Sequence, residues 1–563
     1  MTFHDFKYER PDFELQKEKL TTLVTEFEDA ADADQQLDIF KKINKERSYV
    51  STMRTLASIR HSVDTRDEFY DTENTYWDET GPLYDELDDQ LYDALLTSPF
   101  RAELEAEIGT QFFKLIECGK KAFSPEIIAD LQEENRLSSE YSKLIASAKI
   151  PFQDEEYTLP GLAKFSVDKD RTIREAAMTA RYKFFTEHEA TIDDIYDKLV
   201  KIRAEIAKKL GFNNFTELGY IRMKRTDYNA TDVANFRKQV RDVIVPVASE
   251  IYEKQRQRLG FDKLHYYDLQ FEFESGNATP QGDPDWIVEQ GTKMYAELSP
   301  ETKEFFDFMV EKELLDLVNK DGKRGGGYCT YISDYKAPFI FSNFNGTSGD
   351  IDVLTHEVGH AFQVYQSRHL EVPELAFPTY ESCEIHSMSM EFFCWPWMES
   401  LFKDDVEKYK YTHLADAIKF IPYGVTVDEY QHFVYDNPAA TKEERKAEWR
   451  RLEKIYLPHK DYEGCDFLER GGWWHQQAHI FGAPFYYIDY TLAQICALQF
   501  WKRMMNDDAT AWSDYLALCH VGGSKSFVEL VQLGNLKSPF EDGCVASIIA
   551  DIKAWLDLPR DLK

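Results

Sequence analysis

The chain has 563 residues, too many for one core, so two or more lobes are expected. Hydrophobic residues make up 43%, charged residues 30% and aromatic residues 14%, which excludes a disordered chain. A formal charge of -35, from 66 Lys+Arg against 101 Asp+Glu, disfavours nucleic acid and anionic membrane as partners, because both need a basic face.

The first residues, MTFHDFKYERPDF, are polar and mixed in charge, so no secretory signal is expected. No stretch approaches the roughly 20 apolar residues of a membrane span. The eight cysteines are scattered without a CxxC pair, which fits reduced thiols in a cytoplasmic protein. Most of the chain has helical texture, with charged residues interleaved among Leu, Ile, Phe and Tyr at three-four spacing. Leu83, Leu87, Leu91 and Leu95 run through an acidic stretch and predict an amphipathic helix with a solvated acidic face. Ile195, Leu199, Ile202, Ile206 and Leu210 predict another, stopped at Gly211. A boundary near residue 170 is expected, between an N-terminal helical lobe (1–170) and a larger catalytic part (171–563). Strand texture is confined to the stretch after Gly325-Gly326-Gly327, where Phe339 to Phe344 alternate and Asn345-Gly346 closes the run.

Residues 356–360 read HEVGH. On a helix His356 and His360 are one turn apart on one face, so both imidazoles can reach one zinc ion, and Glu357 lies beside that face, placed to take a proton from water. The odds of a chance match are on the order of a few per cent. Asp350 reads as the helix N-cap. Gly359 costs about 1 kcal/mol relative to Ala inside a helix, which suggests close approach of another element.

A third ligand is needed, and His369 lies too far along the same helix. In the next helical segment, YESCEIHSMSMEFF, Glu381, Glu384 and Glu391 share a face, while His386 sits roughly 140° from Glu381 at 100° per residue. A carboxylate is therefore expected at the metal, with spacing leaving Glu381 and Glu384 as alternatives. The others suit groups that hold imidazole N–H protons. Near residue 480, His475 and His479 precede Tyr486, Tyr487 and Tyr490. A phenol and an imidazole there could donate to the oxyanion of a tetrahedral intermediate; the plain alternative is an aromatic core stripe.

Taken together, KKLGFNNFTELGYIRMKR, GKRGGGYCTY, HEVGHAFQ, ESCEIHSMSME and HIFGAPFYYIDY resemble the thimet oligopeptidase family of zinc peptidases, most closely its oligoendopeptidase F branch. The resemblance spans roughly residues 195–500. It implies a mainly α fold, two helical lobes enclosing a deep substrate channel, with a small β-sheet beside the zinc site. It implies one Zn2+ per chain, with Glu384 as the third ligand beside His356 and His360, and Glu357 as general base. His479 and Tyr490 map onto the family's transition-state groups, with Tyr487 or Tyr486 as a second phenol. The implied activity is endopeptidase cleavage of short, unfolded oligopeptides in the cytoplasm, with the substrate extended along the edge of the Phe339–Phe344 strand. The rivals are an exopeptidase releasing terminal dipeptides and a non-catalytic peptide-binding protein. Oligomeric state and side-chain preference are not legible.

Overall fold

The computed structural model describes residues 1–320, 322–560 and 562. The elements that carry the argument are, in chain order, α1 (Ala33–Val63), α2 (Glu68–Thr97), β1 (Ile150–Phe152), β2 (Glu155–Tyr157), α3 (Arg171–Lys209), β3 (Leu315–Val318), β4 (Tyr328–Ile332), β5 (Ala337–Phe344), α4 (Gly349–Gln366), α5 (Tyr380–Phe393), α6 (Val406–Asp436) and α7 (Tyr487–Met505). The chain is mainly helical, as its texture predicts. It divides into two compact units, each assembled from three stretches. The first comprises Met1–Lys120, Thr279–Lys403 and Arg503–Leu536; the second comprises Lys121–Ala278, Asp404–Lys502 and Lys537–Lys563.

In the first unit, α1 and α2 pack side by side. Leu87, Leu91 and Leu95 of α2 are buried, but Leu83 is 42% exposed. A four-residue repeat advances about 40° per step around a 3.6-residue helix, so the row drifts off the buried face by its fourth member. On the acidic face, Asp88 takes the Arg47 guanidinium of α1 at 2.7 Å. In the second unit α3 keeps Ile195, Leu199 and Ile206 in the core. It ends as predicted, with Gly211 at φ 83°, where its amide hydrogen-bonds back to Lys208 O.

The sheet of the first unit has the order β3-β5-β4, β5 running parallel to β3 and antiparallel to β4. Both edges of β5 are occupied: β4 pairs from Ala337 to Phe341, and β3 from Ile340 to Phe344. The expectation that a substrate could lie along Phe339–Phe344 is therefore corrected. β5 is the buried central strand, and β3 and β4 are the two edge strands. Leu315–Val318, the strand that covers β5, sits between charged residues and carries no alternating signature. A second sheet, the hairpin β1–β2 in the other unit, was also not expected. Its turn uses Gln153 and Asp154 at φ 50° and 65°, left-handed conformations usually supplied by Asn or Gly.

None of the eight cysteines is in a disulfide. Among the described residues no helix is long and apolar enough to cross a membrane.

Candidate active site

The HEVGH segment lies inside α4. Its start differs from the sequence reading. Ser348 precedes the first helical residue, and Asp350 sits inside the first turn, where its carboxylate accepts the amides of Asn345 (2.9 Å) and Gly346 (2.7 Å). Asp350 thus fastens the end of β5 to the start of α4 and does not cap the helix.

Gly359 meets the close approach its presence predicts. A Cβ there would lie 2.6 Å from both His386 O and Ser387 Cα of α5, closer than any side chain tolerates. This bare contact lets the two helices press together, and α5 presents Glu384 to the histidines. His356 Nε2 and His360 Nε2 lie 3.2 and 3.5 Å from the same Glu384 oxygen. The Ser387 hydroxyl donates to that oxygen at 2.9 Å. Four ligands in a tetrahedron at about 2.0–2.1 Å from zinc stand about 3.3–3.4 Å apart, so the separations suit one such ion.

On its other side, the His356 ring donates from Nδ1 to Glu391 Oε1 at 2.7 Å, which leaves the Nε2 lone pair facing Glu384. Burial would lift the Glu384 carboxyl, but His360 and His356 outweigh it and hold it well below the usual range. Burial works against the charged form of His356, yet Glu384 and Glu391 raise its pKa well above the ordinary value. Two imidazoles facing carboxylates in a buried place form a donor set for a cation.

Glu357 is 8% exposed, and its Oε2 has no hydrogen-bond partner among the described residues. Burial pushes its pKa up, opposed by His360 and His356. A buried carboxylate oxygen without a partner is costly. Gly327, just before β4, lies close against α4 and β5: a Cβ there would sit 3.2 Å from Val353 Cγ1 and 3.4 Å from Phe341 O.

His386 points elsewhere. Its Nδ1 bonds Ser382 O at 2.7 Å, and burial lowers its pKa to about 4. His369 stacks on His520. Glu381 is buried at 1% exposure but is not among the converging donors.

His479 and the three tyrosines belong to the second unit and cluster there. Ring centroids separate His479 from Tyr487 by 5.0 Å, from Tyr486 by 5.7 Å and from Tyr490 by 6.0 Å. His475 stands apart, fully buried with its Nε2 2.9 Å from Asp193 Oδ1.

Sequence reasoning missed the groups that hold this cluster. The Tyr423 hydroxyl of α6 donates to Gln477 Oε1 at 2.6 Å, and the Gln477 amide donates to His479 Nδ1 at 2.8 Å. A neutral His479 then carries its proton on Nε2, as a donor needs. Phe485, just before the tyrosines, adopts φ 68°. Arg225 binds its carbonyl at 2.6 Å and the buried Asp489 at 2.8 Å, and Gln431 accepts its amide at 3.0 Å. Tyr423, Arg225 and Gln431 come from distant segments, so no local pattern announces them.

A helical fold with an HExxH helix, a carboxylate from the following helix and a buried glutamate beside the histidines is the arrangement expected of a metal-dependent peptidase. The Peptidase family M3 model matches residues 165–548, and the Peptidase M3 N-terminal domain matches residues 3–123. The chain belongs to peptidase family M3. It is 24% identical over 390 residues to the oligoendopeptidase F homolog of Borreliella burgdorferi, covering 67% of this chain and 63% of that one. To the homolog of Mycoplasma genitalium it is 23% identical over 375 residues, covering 62% and 58%. The chain thus spans about three fifths of the length of the curated relatives it matches. A structure of PZ peptidase A with an inhibitor is 57% identical, covers 100% of both chains and superposes with a TM-score of 0.95.

Proposed function

We propose that the chain is a zinc-dependent endopeptidase that hydrolyses internal bonds of short oligopeptides in the cytoplasm, where eight unpaired thiols persist. The convergence of His356, His360 and Glu384 beside the unpartnered Glu357 carries this reading. His356, His360 and Glu384 would hold one zinc ion. When bound, zinc supplies a Lewis acid and lowers the pKa of water from 15.7 to about 7. Glu357 takes the proton of the attacking water and returns it to the leaving amine nitrogen. Glu391 keeps His356 in the tautomer that offers Nε2. His479 and Tyr490 donate hydrogen bonds to the tetrahedral oxyanion, with Tyr487 or Tyr486 as a second phenol. The outer edge of β4 offers backbone groups to an extended peptide.

Mass spectrometry of products from peptides with free and with blocked ends, with and without a chelator, tests this. Internal cleavage of blocked peptides, lost on chelation and restored by zinc, is the expected result. Release of terminal dipeptides from free ends alone would establish the exopeptidase rival. Binding without any product would establish the non-catalytic one.

The ligand assignment has its own test. Glu384→Ala is expected to lose zinc, whereas Glu381→Ala costs at most about the 10–100-fold typical of groups behind a ligand. Metal content after dialysis against a graded chelator series separates the two. A greater loss in Glu381→Ala would move the third ligand to Glu381.

A further inference from the structure

The second unit contains a cavity of about 540 Å³ walled by Tyr182, Tyr252, Tyr266, Tyr423 and Trp473, among other residues. Three cations line it, Lys419, Lys460 and Arg181. The Lys460 ammonium sits 2.9 Å from the centroid of the Trp473 ring, with Tyr423 and Tyr462 each 5.9 Å away. Among the described residues it has no carboxylate within ion-pair reach. Arg181 spends its guanidinium on neutral oxygens only: Gln476 Oε1 at 3.1 and 3.3 Å, and Leu159 O at 3.1 Å.

The surroundings make this unusual. Lys419 on the same cavity wall pairs with Glu272 and lies 3.4 Å from Asp416, so the cavity's own carboxylate is already answered. Glu453, which acts on Lys460 from a distance, accepts the Tyr462 hydroxyl at 2.5 Å and lies 3.5 Å from Arg450. His459 stacks on Tyr252 at 3.7 Å, and burial keeps it neutral. Burial also pulls the Lys460 amine down to about 7, with Glu453 opposing and Arg450 assisting. In a chain with an excess of 35 negative charges, the half-buried Lys460 and Arg181 line the cavity with no carboxylate in direct contact among the described residues, which leaves both open to an incoming anion.

We infer that this cavity is a substrate subsite in which Lys460, supported by Arg181, receives a carboxylate of the peptide while the aromatic walls take the adjoining apolar part. The volume falls within the range of small-ligand sites, and apolar walls with few convergent polar groups are their usual composition. Gln477 lines the cavity and is the side chain that hydrogen-bonds His479, so the subsite adjoins the group assigned to the transition state. The inference rests on the peptidase reading for the identity of the ligand. The carboxylate can come from an acidic side chain or from the peptide's C-terminus.

Matched peptide pairs test it: a free C-terminal acid against its amide, and Glu against Gln at successive positions. In the zinc-loaded wild-type enzyme, the carboxylate member of at least one pair is expected to have the lower KM. Lys460→Met should erase that preference, raising KM for the carboxylate peptide roughly 30-fold more than for its neutral partner. Lys460→Arg, which keeps the charge, should restore most of it. Dependence on the terminal acid alone identifies the C-terminus, and dependence on Glu alone an acidic side chain; either supports the subsite. Equal KM within every pair in the wild type, or equal losses for both members in Lys460→Met, overturns it. Calorimetry of the same pairs with Glu357→Gln reads binding without turnover. A Lys460-dependent preference there, in a chain that cleaves no peptide, would sink the peptidase reading and leave the subsite standing.

Discussion

Glu357→Gln is expected to leave the metal in place and to lower kcat roughly 10²–10⁴-fold, the usual worth of a positioned proton-transfer group. Three donors converge without Glu357, so its removal takes away no ligand. The amide has the same shape and fills the same space beside Gly327, but it cannot accept a proton at neutral pH. The carboxylate it replaces is buried, with one oxygen unpartnered and its pKa pushed up by that burial. Those are the properties of a base whose affinity for a proton is raised toward neutrality. Metal analysis alongside single-turnover kinetics decides the matter. A variant that retains zinc and turns over within a few fold of the wild type would remove Glu357 from proton transfer. A variant that has lost zinc would place Glu357 among the ligands.

Tyr490→Phe is expected to lower kcat about 10²–10³-fold, equivalent to about 2.7–4 kcal/mol, and to leave KM nearly unchanged. An oxyanion donor acts on charge that exists only after water has attacked, so its loss falls on the chemical step. Phenylalanine keeps the ring that packs 4.9 Å from Tyr486 and 5.6 Å from Tyr487. A purely packing role therefore predicts almost no kinetic effect. Near-normal kcat in Tyr490→Phe would return the residue to the aromatic cluster. The same replacement at Tyr486 and at Tyr487 then distinguishes the second phenol. Burial raises the Tyr487 phenol well above its ordinary range, which favours the neutral, donating form.

How much of this could be read without the structure depends on the range of the interaction. His356, His360 and Glu357 were legible because one helix fixes their mutual placement: a four-residue step is nearly one turn. The same holds for the buried faces of α2 and α3, and for Gly359, whose only physical excuse inside a helix is a neighbour's backbone. The choice between Glu381 and Glu384 was not legible from spacing, since both lie on the inward face of α5. It depends on the crossing of α4 and α5, which Ser387 and His386 set by lying against Gly359. Asp350 was misread for a related reason. An aspartate at a helix start can cap its own helix or serve the preceding turn, and only the path of the chain from β5 decides which.

The sheet shows the limit most clearly. The alternating run at Phe339–Phe344 announces a strand, but strand order is a property of the partners. Leu315–Val318 pairs in parallel from more than 20 residues upstream and turns an expected edge into the centre. The same distance hides the supports of the second cluster. Tyr423, Arg225 and Gln431 hold Gln477 and Phe485 by hydrogen bonds across 54 to 260 positions of sequence. Composition and local spacing thus determined the helical class and the helix that carries His356, Glu357 and His360. Which carboxylate completes the donor set, which strand is central, and how the imidazole of His479 is held were decided by tertiary packing, because each depends on groups that meet only when the chain has folded.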